Sequence, residues 1–329
     1  MVATALNHDV YYRGLYWNDY ETVRTELNRR ATGSTELIWQ DHFQSSTKAQ
    51  FSKALIINCG NGWVERELFD RGLFKEAVAF DASEALLQQA EEKRAGRSIR
   101  YLKVDGNQIG AENIGAGFDL VVNHAACHHI GRLFRFMRIM SEVLVPGGIM
   151  LNWDYVGSDR NQYPYPLWEK VMHYNDHLPE FARADLTYPH LPTMLATDPS
   201  EAIRSSMILP AFRKYFEVEH LGMLGGGLAY PLMTHNYALA KLPHAQSLPI
   251  IKQILIEDDS WCRAHPDHNL FAYWWGKPLS YSKKCNDSVA LERIESSWFN
   301  EHANTIQKHE LTLLQRLTQR LCDLESVHK

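Results

Sequence analysis

The feature that most constrains the fold is a repeated alternation, between residues 54 and 153, of short apolar runs with amphipathic stretches. The runs are short enough for strands, and the stretches between them place apolar residues at helical spacing. Parallel strands need long crossover connections, usually helices, so this alternation is typical of a parallel sheet. The runs are ALIIN, AVAFD, IRYLKVD, FDLVVNH and GGIMLNWDY. The sequence therefore predicts an α/β domain with helices on both faces of the sheet.

Two later segments complete the predicted sheet. Residues 216–224 and 269–278 have the composition of strands, and helical patterns at 200–213 and 247–263 precede them. The order helix, strand, helix, strand would close the sheet with an antiparallel pair. We therefore expect a Rossmann-like, seven-stranded, mostly parallel sheet in a core domain at residues 51–280.

Three segments lie outside this pattern. Residues 1–50 include a helical pattern at 19–31 and are predicted to form an N-terminal helical lid. Residues 156–200, rich in Tyr, Pro, Asp and His, are predicted to be an acceptor-binding insertion of loops and short helices after the fifth strand. Residues 281–329 place leucines at three- and four-residue steps, which predicts a long C-terminal helix. This helix would either pack on its own domain or form a homodimer with a second copy.

Charge and cysteine content exclude several classes of protein. The chain has 34 basic and 39 acidic residues, so no basic excess attracts it to nucleic acid. Its five cysteines lack CxxC spacing, which argues against a disulfide framework and a structural zinc site. The first twenty residues have no apolar signal core, and no run is long enough to span a bilayer. We expect a cytoplasmic protein without nucleic-acid or membrane partners.

The ends of the first three apolar runs carry residues suited to a nucleotide-like ligand. The first run is followed by NCGNG at residues 58–62, a glycine turn before a helix, where backbone N–H groups can face a carboxylate or phosphate. Asp81 ends the second run, where an acid can bind ribose hydroxyls. Asp105 ends the third run, next to Gly106 and Asn107, and suits an adenine amino group. Each acid could instead be a helix cap, but their joint placement favours a ligand site.

With these motifs, residues 54–156 resemble the core of class I S-adenosylmethionine-dependent methyltransferases. The NCGNG turn is similar to the family's first motif, Asp81 to its ribose acid, Asp105 to its adenine-side acid, and LVPGGIMLNWDY to its Pro-Gly-Gly turn before the fifth strand. Asn58 stands where the first glycine is usual and Ile56 where an acid is frequent, which affects contacts to the amino-acid end of the donor.

This resemblance implies that S-adenosylmethionine is the cofactor and S-adenosylhomocysteine its product. A nicotinamide oxidoreductase is the weaker alternative, because the GxGxxG fingerprint is absent. The predicted cofactor-binding residues are Asn58, Cys59, Gly60, Gly62, Asp81, Ala82, Asp105, Gly106, Asn107, Asn123 and His124.

Three later segments, at 154–164, 198–212 and 225–227, resemble a bacterial subgroup of these enzymes that modifies sugars or secondary metabolites. The subgroup implies a small-molecule acceptor in natural product biosynthesis. We therefore expect an O-methyltransferase acting on a hydroxyl or carboxylate of a sugar, peptide or secondary metabolite. An N- or C-methyltransferase and a non-catalytic, methyltransferase-like assembly subunit remain as alternatives.

The fourth apolar run leads into HAACHHI at residues 124–130, which contains the predicted catalytic residues. His129 matches a histidine that is catalytic in similar phosphobase methyltransferases, and a neutral imidazole is the natural base near pH 7. His128 is the second choice, and a packing role for both stays open. Cys127 is not expected to act, because methyl transfer from a sulfonium needs no covalent enzyme intermediate.

We expect no metal, because adjacent histidines would not ordinarily face one ion together and the sequence shows no carboxylate cluster. For the acceptor, aromatic residues and two arginines suit a polar or acidic small molecule, although each residue could instead serve the core or a surface ion pair. The predicted substrate-binding residues are Tyr12, Tyr16, Tyr155, Arg160, Tyr163 and Arg204.

Overall fold

The computed structural model describes residues 14–48, 50–280 and 291–298. In this part of the chain, seven strands form one sheet in the order β3-β2-β1-β4-β5-β7-β6. The first five strands run parallel to one another, and β7 runs antiparallel to both β5 and β6. The predicted seven-stranded, mostly parallel sheet is confirmed. The strands are β1 Phe51–Ile56, β2 Phe74–Asp81, β3 Ile99–Lys103, β4 Phe118–His124, β5 Leu144–Tyr155, β6 Phe216–Gly225 and β7 Phe271–Pro278.

Helices cover both faces of the sheet. Side chains alternate between the two faces along each strand, so apolar side chains on both faces need to be covered. In β1, Ala54 and Ile56 join one apolar cluster, whereas Leu55 joins the cluster on the opposite face. The second half of the strand, Ala54 to Ile56, is therefore continuously apolar, as expected for a parallel strand buried on two sides. The helices are α1 Glu21–Thr32, α2 Trp39–Thr47, α3 Trp63–Asp70, α4 Glu84–Glu92, α5 Ala111–Ile114, α6 Leu133–Val143, α7 Tyr165–His177, α8 Leu191–Thr197, α9 Ile208–Tyr215, α10 Ala229–Met233, α11 Tyr237–Ala240 and α12 His244–Ala264.

The strand order reverses between β1 and β4, which places a crevice at the carboxyl ends of these two strands. From β1 the chain proceeds outward to β2 and β3, and then returns to the other side of β1 as β4. In open α/β sheets, ligands bind in such a crevice, because the two adjacent connections lie on opposite faces of the sheet. The loops after β1, β2, β3 and β4 all open toward it.

Several expectations about helices were inexact. The helix predicted at 200–213 begins only at Ile208, because the preceding residues bond to other loops: Ile203 donates its N–H to the carbonyl of His128, and the carbonyl of Ala202 accepts from Arg160. The insertion is more helical than expected, since α7 spans 13 residues. The short helices α2, α10 and α11 carry too little periodic pattern to be recognised in the sequence.

The segment 291–298 is helical and docks on α6. The carboxylate of Glu295 accepts hydrogen bonds from the backbone N–H groups of Phe134 and Arg135 at 3.0 and 3.1 Å. Glu295 thus supplies the acceptors that the first turn of a helix lacks. Most of the predicted C-terminal helix, and the homodimer predicted through it, lie outside the described residues. Among the described helices, none is both long and apolar enough to cross a bilayer.

The N-terminal helix is attached to the domain by a buried ion pair. Arg30 of α1 bonds to Asp258 of α12 at 2.5 Å, and the side chains are 4% and 0% exposed. Asp258 also accepts hydrogen bonds from the backbone N–H groups of Gly226, Leu228 and Ala229. One carboxylate therefore fixes α1, α12 and the turn after β6 relative to each other.

We expect Asp258→Asn to lower the free energy of unfolding by about 3 kcal/mol, because it removes the fully buried countercharge of Arg30 and leaves that guanidinium paired only with the less buried Glu26 and, at 3.9 Å, Asp259. Urea denaturation followed by circular dichroism measures the change. The matched control is Glu219→Gln, which removes the carboxylate of an exposed pair with Lys277 and should cost about 0.5 kcal/mol or less. Equal losses in the two variants would contradict the assignment.

Candidate active site

The glycine turn after β1 holds its backbone in the left-handed region at Asn58, Gly60 and Gly62, with φ of 42°, 56° and 79°. Asparagine tolerates this region better than other residues that have a Cβ. At Gly62 a Cβ would lie 2.6 Å from Arg66 Nη1 and 2.7 Å from Tyr101 Oη, so both the backbone and the packing require glycine. The turn therefore brings the start of α3 close against its neighbours.

Asp81, at the end of β2, connects the first two loops. Its Oδ2 accepts the Gly60 N–H at 2.9 Å, and its Oδ1 accepts the Ser83 N–H at 2.8 Å. A carboxylate offers about four lone-pair sites, so two stay available to a ligand. Asp81 borders the cavity described below, where those sites can be reached.

The loop after β3 is tied to the loop after β4. Asp105 Oδ1 accepts the Asn107 N–H at 2.8 Å, and Asn107 Oδ1 accepts the Gly131 N–H at 2.8 Å. At Gly106 a Cβ would lie 2.5 Å from Ile130 Cδ1, so a larger residue here would force the side chain of Ile130 to move. The adenine-side loop predicted from the sequence thus packs against the histidine segment.

One cavity of about 1390 Å³ joins these loops to the N-terminal helix and the insertion. A pocket for one small ligand usually measures roughly 300–1,000 Å³, so this cavity has room for two molecules side by side. The predicted site residues that line it are Asn58, Cys59, Gly60, Asp81, Ala82, Asp105, Gly106, Asn107, His124, His128, His129, Tyr16 and Tyr155.

Five predicted site residues lie behind the cavity wall. Gly62 belongs to the glycine turn but does not line the cavity. Asn123 is buried, and its Oδ1 accepts the Cys127 N–H at 3.0 Å. Arg160 donates to the carbonyls of Pro199 and Glu201, Arg204 bonds to Glu295 at 2.6 Å, and the buried Tyr163 stacks on Trp168. Arg160, Arg204 and Tyr163, which were predicted to bind the methyl acceptor, thus contact other parts of the protein and do not line the cavity. Tyr12 lies outside the described residues.

The histidine turn, Cys127–His129, is held by a buried carboxylate that the sequence analysis missed. Asp154, at the end of β5, is fully buried and lies 2.6 Å from Nδ1 of His128. Its Oδ2 accepts the N–H groups of Ala126 and Cys127 at 3.2 and 2.7 Å. Burial alone would lower the pKa of His128, but the charge and hydrogen bond of Asp154 raise this pKa to about 9. His128 is therefore a cation near neutral pH.

His129 has the opposite character. Its Nδ1 lies 3.0 Å from Ser200 Oγ, and that hydroxyl donates its proton to Asp198 Oδ1 at 2.6 Å. Ser200 therefore accepts from Nδ1–H of His129, which leaves Nε2 of the neutral ring with a lone pair. Burial and the adjacent charge of His128 lower the pKa of His129. His129 is the neutral imidazole of the pair.

Glu201 completes this wall of the cavity. Its Oε2 lies 3.8 Å from Nε2 of His128 and 4.0 Å from Nε2 of His129. The two histidines, which were not expected from the sequence to face one ion together, share a 3₁₀ turn, and their ring centroids are 4.1 Å apart. Asp198, Ser200 and Glu201 belong to DPSE, where the predicted insertion meets the predicted helix at 200–213; this segment carries part of the resemblance to the bacterial subgroup, and none of the three residues is among the predicted site residues.

Part of the chain matches a known family of domains. Residues 55–152 match the family model described as a methyltransferase domain. An uncharacterized methyltransferase of Mycobacterium bovis is 34% identical over 96 residues, which are 29% of this chain and 47% of that protein. A ubiquinone biosynthesis O-methyltransferase of Caulobacter sp. (strain K31) is 32% identical over 101 residues, 30% of this chain and 39% of that protein. The chain spans half the length, or less, of these curated relatives.

Among solved structures, a methyltransferase from Mesorhizobium loti, described as S-adenosylmethionine dependent, aligns with 73% of this chain and 97% of its own. The TM-score is 0.45 and the sequence identity is 16%. The match to the family model, at residues 55–152, covers the glycine turn, Asp81, Asp105 and the histidine turn.

We expect Asp154→Asn to lower the pKa of His128 from about 9 to below about 7, because the amide oxygen can still accept the N–H groups of Ala126 and Cys127 but the negative charge is removed. Histidine side-chain NMR of metal-free protein across pH 5–10 measures it. Asp198→Asn is the control, since Asp198 is nearer to His129 and should change the His128 titration less. A His128 pKa near 9 in Asp154→Asn would refute the role of Asp154.

Proposed function

We propose that this chain, whose residues 55–152 match the model of a methyltransferase domain, is a class I S-adenosylmethionine-dependent methyltransferase that methylates a small molecule on oxygen. The observation that carries the proposal is the shared cavity: the residues of the donor motifs and a neutral histidine with a free Nε2 lone pair line the same space. A methyl donor and a proton acceptor are the two components that O-methylation requires.

The loops at the crevice fit the proposed donor. Asp81 retains two lone-pair sites for the ribose hydroxyls after its bonds to Gly60 and Ser83. The turn at 58–62 would receive the amino-acid end, and the loop of Asp105 and Asn107 would receive the adenine. When bound, the donor supplies a methyl group already activated by its positive sulfur. The protein therefore has to align the acceptor oxygen and remove its proton.

The two histidines would divide this work. His129 is the proposed base: the acceptor oxygen forms a bond to the methyl carbon, the carbon–sulfur bond breaks toward sulfur, and the acceptor's proton passes to Nε2 of His129. His128 is already protonated through Asp154, so it cannot take that proton near pH 7. It would instead orient the acceptor as a hydrogen-bond donor through Nε2.

The acceptor side of the cavity favours a partly apolar molecule. Trp17, Tyr230 and Phe271 pack against each other at centroid distances of 5.1–6.1 Å, and Tyr155 contacts Phe271 at 5.4 Å. All four line the cavity. Aromatic walls with a few polar groups are typical of sites for small organic ligands. The proposed acceptor is a hydroxylated secondary metabolite or sugar, and methylation on nitrogen or carbon is the alternative.

Calorimetric titration with S-adenosylhomocysteine tests the donor site. Wild-type protein should bind it, and Asp81→Ala should weaken binding by at least about tenfold, or 1.4 kcal/mol. Asp119→Ala is a matched control, because Asp119 accepts the N–H groups of Ser52 and Lys53 in the same way but does not line the cavity. Folded wild-type protein without affinity would sink the proposal and favour the assembly-subunit alternative.

Transfer of radiolabelled methyl groups to a panel of phenols, sugars and hydroxy acids tests the role of His129. With any accepted substrate, His129→Gln should reduce kcat roughly 10²–10⁴-fold, the usual contribution of a general base, and leave affinity for S-adenosylhomocysteine unchanged. His173→Gln, at an exposed histidine of α7, should keep full activity. Fragmentation of the product identifies the methylated atom, and a methylated nitrogen or carbon would overturn the assignment to oxygen.

A further inference from the structure

Three side chains of metal-ligating type converge on one point of the cavity wall. The ligand atoms of His128, His129 and Glu201 all lie within 4.8 Å of one another, and no other such group occurs in the part of the chain that the structure describes. Two imidazoles and one carboxylate are a set that binds divalent first-row metals and leaves coordination positions open.

Both histidines are oriented as metal ligands usually are. Metal-binding histidines usually donate their second ring N–H to a carboxylate or another oxygen, which fixes the ring. Nδ1 of His128 bonds to Asp154, and Nδ1 of His129 bonds to Ser200, which in turn bonds to Asp198. Both Nε2 atoms are therefore directed away from these partners, toward Glu201.

The spacing and the charge also suit a cation. Two ligand atoms on one ion, each at about 2.1 Å, lie roughly 3.0–3.4 Å apart. The Nε2-to-Oε2 distances of 3.8 and 4.0 Å would need to shorten by roughly 0.4–1 Å, which a turn of the Glu201 side chain can supply. The carboxylates of Asp154, Asp198 and Glu201 surround the two rings, so negative charge exceeds positive charge here.

We propose that His128, His129 and Glu201 bind one divalent transition-metal cation, whose open positions face the cavity and hold oxygen atoms of the acceptor. An acceptor with two neighbouring oxygens, such as a catechol or an α-hydroxy acid, would occupy two of these positions. The proposal deepens the function proposed above and rests on it for the acceptor. With the cation bound, Nε2 of both histidines is a ligand, so His128 releases its Nε2 proton to solvent when the metal binds. The acceptor hydroxyl then releases its proton to solvent on coordination, and the cation takes over the role given above to His129 as base.

Titration of chelator-treated, donor-free protein with ZnCl₂ and MnCl₂ tests the site, with bound metal counted by mass spectrometry. The expected result is one high-affinity cation per chain. Glu201→Gln should weaken its binding at least about tenfold, and Ser200→Ala, which keeps all three ligands but loses the partner of His129, should weaken it about 10- to 100-fold. Thermal unfolding checks that both variants are folded.

Exposed histidines that bind zinc adventitiously are excluded by a matched control. His173 and His177 form an exposed pair on α7, with ring centroids 4.3 Å apart. His173→Gln should leave the high-affinity cation in place. Loss of that cation in His173→Gln, its retention in Glu201→Gln, or the absence of any such cation would each overturn the inference. Affinity for S-adenosylhomocysteine is measured separately, so a failed metal site and a failed donor site give different results.

Discussion

The arrangement of the active site depends on the carboxylate of Asp154, a buried charge surrounded by hydrogen-bond donors. It accepts two backbone N–H groups of the loop after β4 and pairs with His128. Burying a carboxylate without such partners would be costly, so the loop and the strand can only adopt this geometry together. The charge of Asp154 also separates the behaviour of two neighbouring histidines, because it holds a proton on His128 and thereby disfavours one on His129.

The sheet and the loops proposed to bind the donor could be predicted because their signals are local. Each strand is one apolar run, and Asp81 and Asp105 stand directly at the ends of such runs. Parallel strands bring their carboxyl ends to one edge, so these acids were expected to meet without knowledge of any contact between them.

The histidine environment could not be predicted, because its partners are distant in the sequence. Asp154 lies 26 residues from His128, and Ser200 lies 71 residues from His129. No periodicity links these positions. The partners of Arg160 and Arg204 could not be predicted for a related reason: an arginine donates as readily to loop carbonyls or to the carboxylate of Glu295 as to a ligand, and the sequence does not decide between them.

The docking of residues 291–298 has a consequence for the order in which the protein matures. Glu295 satisfies the first turn of α6 and pairs with Arg204, and Arg204 also bonds to the carbonyl of Gly131, next to the histidine turn. During synthesis this segment leaves the ribosome after every strand of the sheet has already emerged. A nascent chain can therefore assemble its sheet and the loops after β1, β2 and β3 first, while the loop that carries the histidines gains its last supports only after residues 291–298 have emerged.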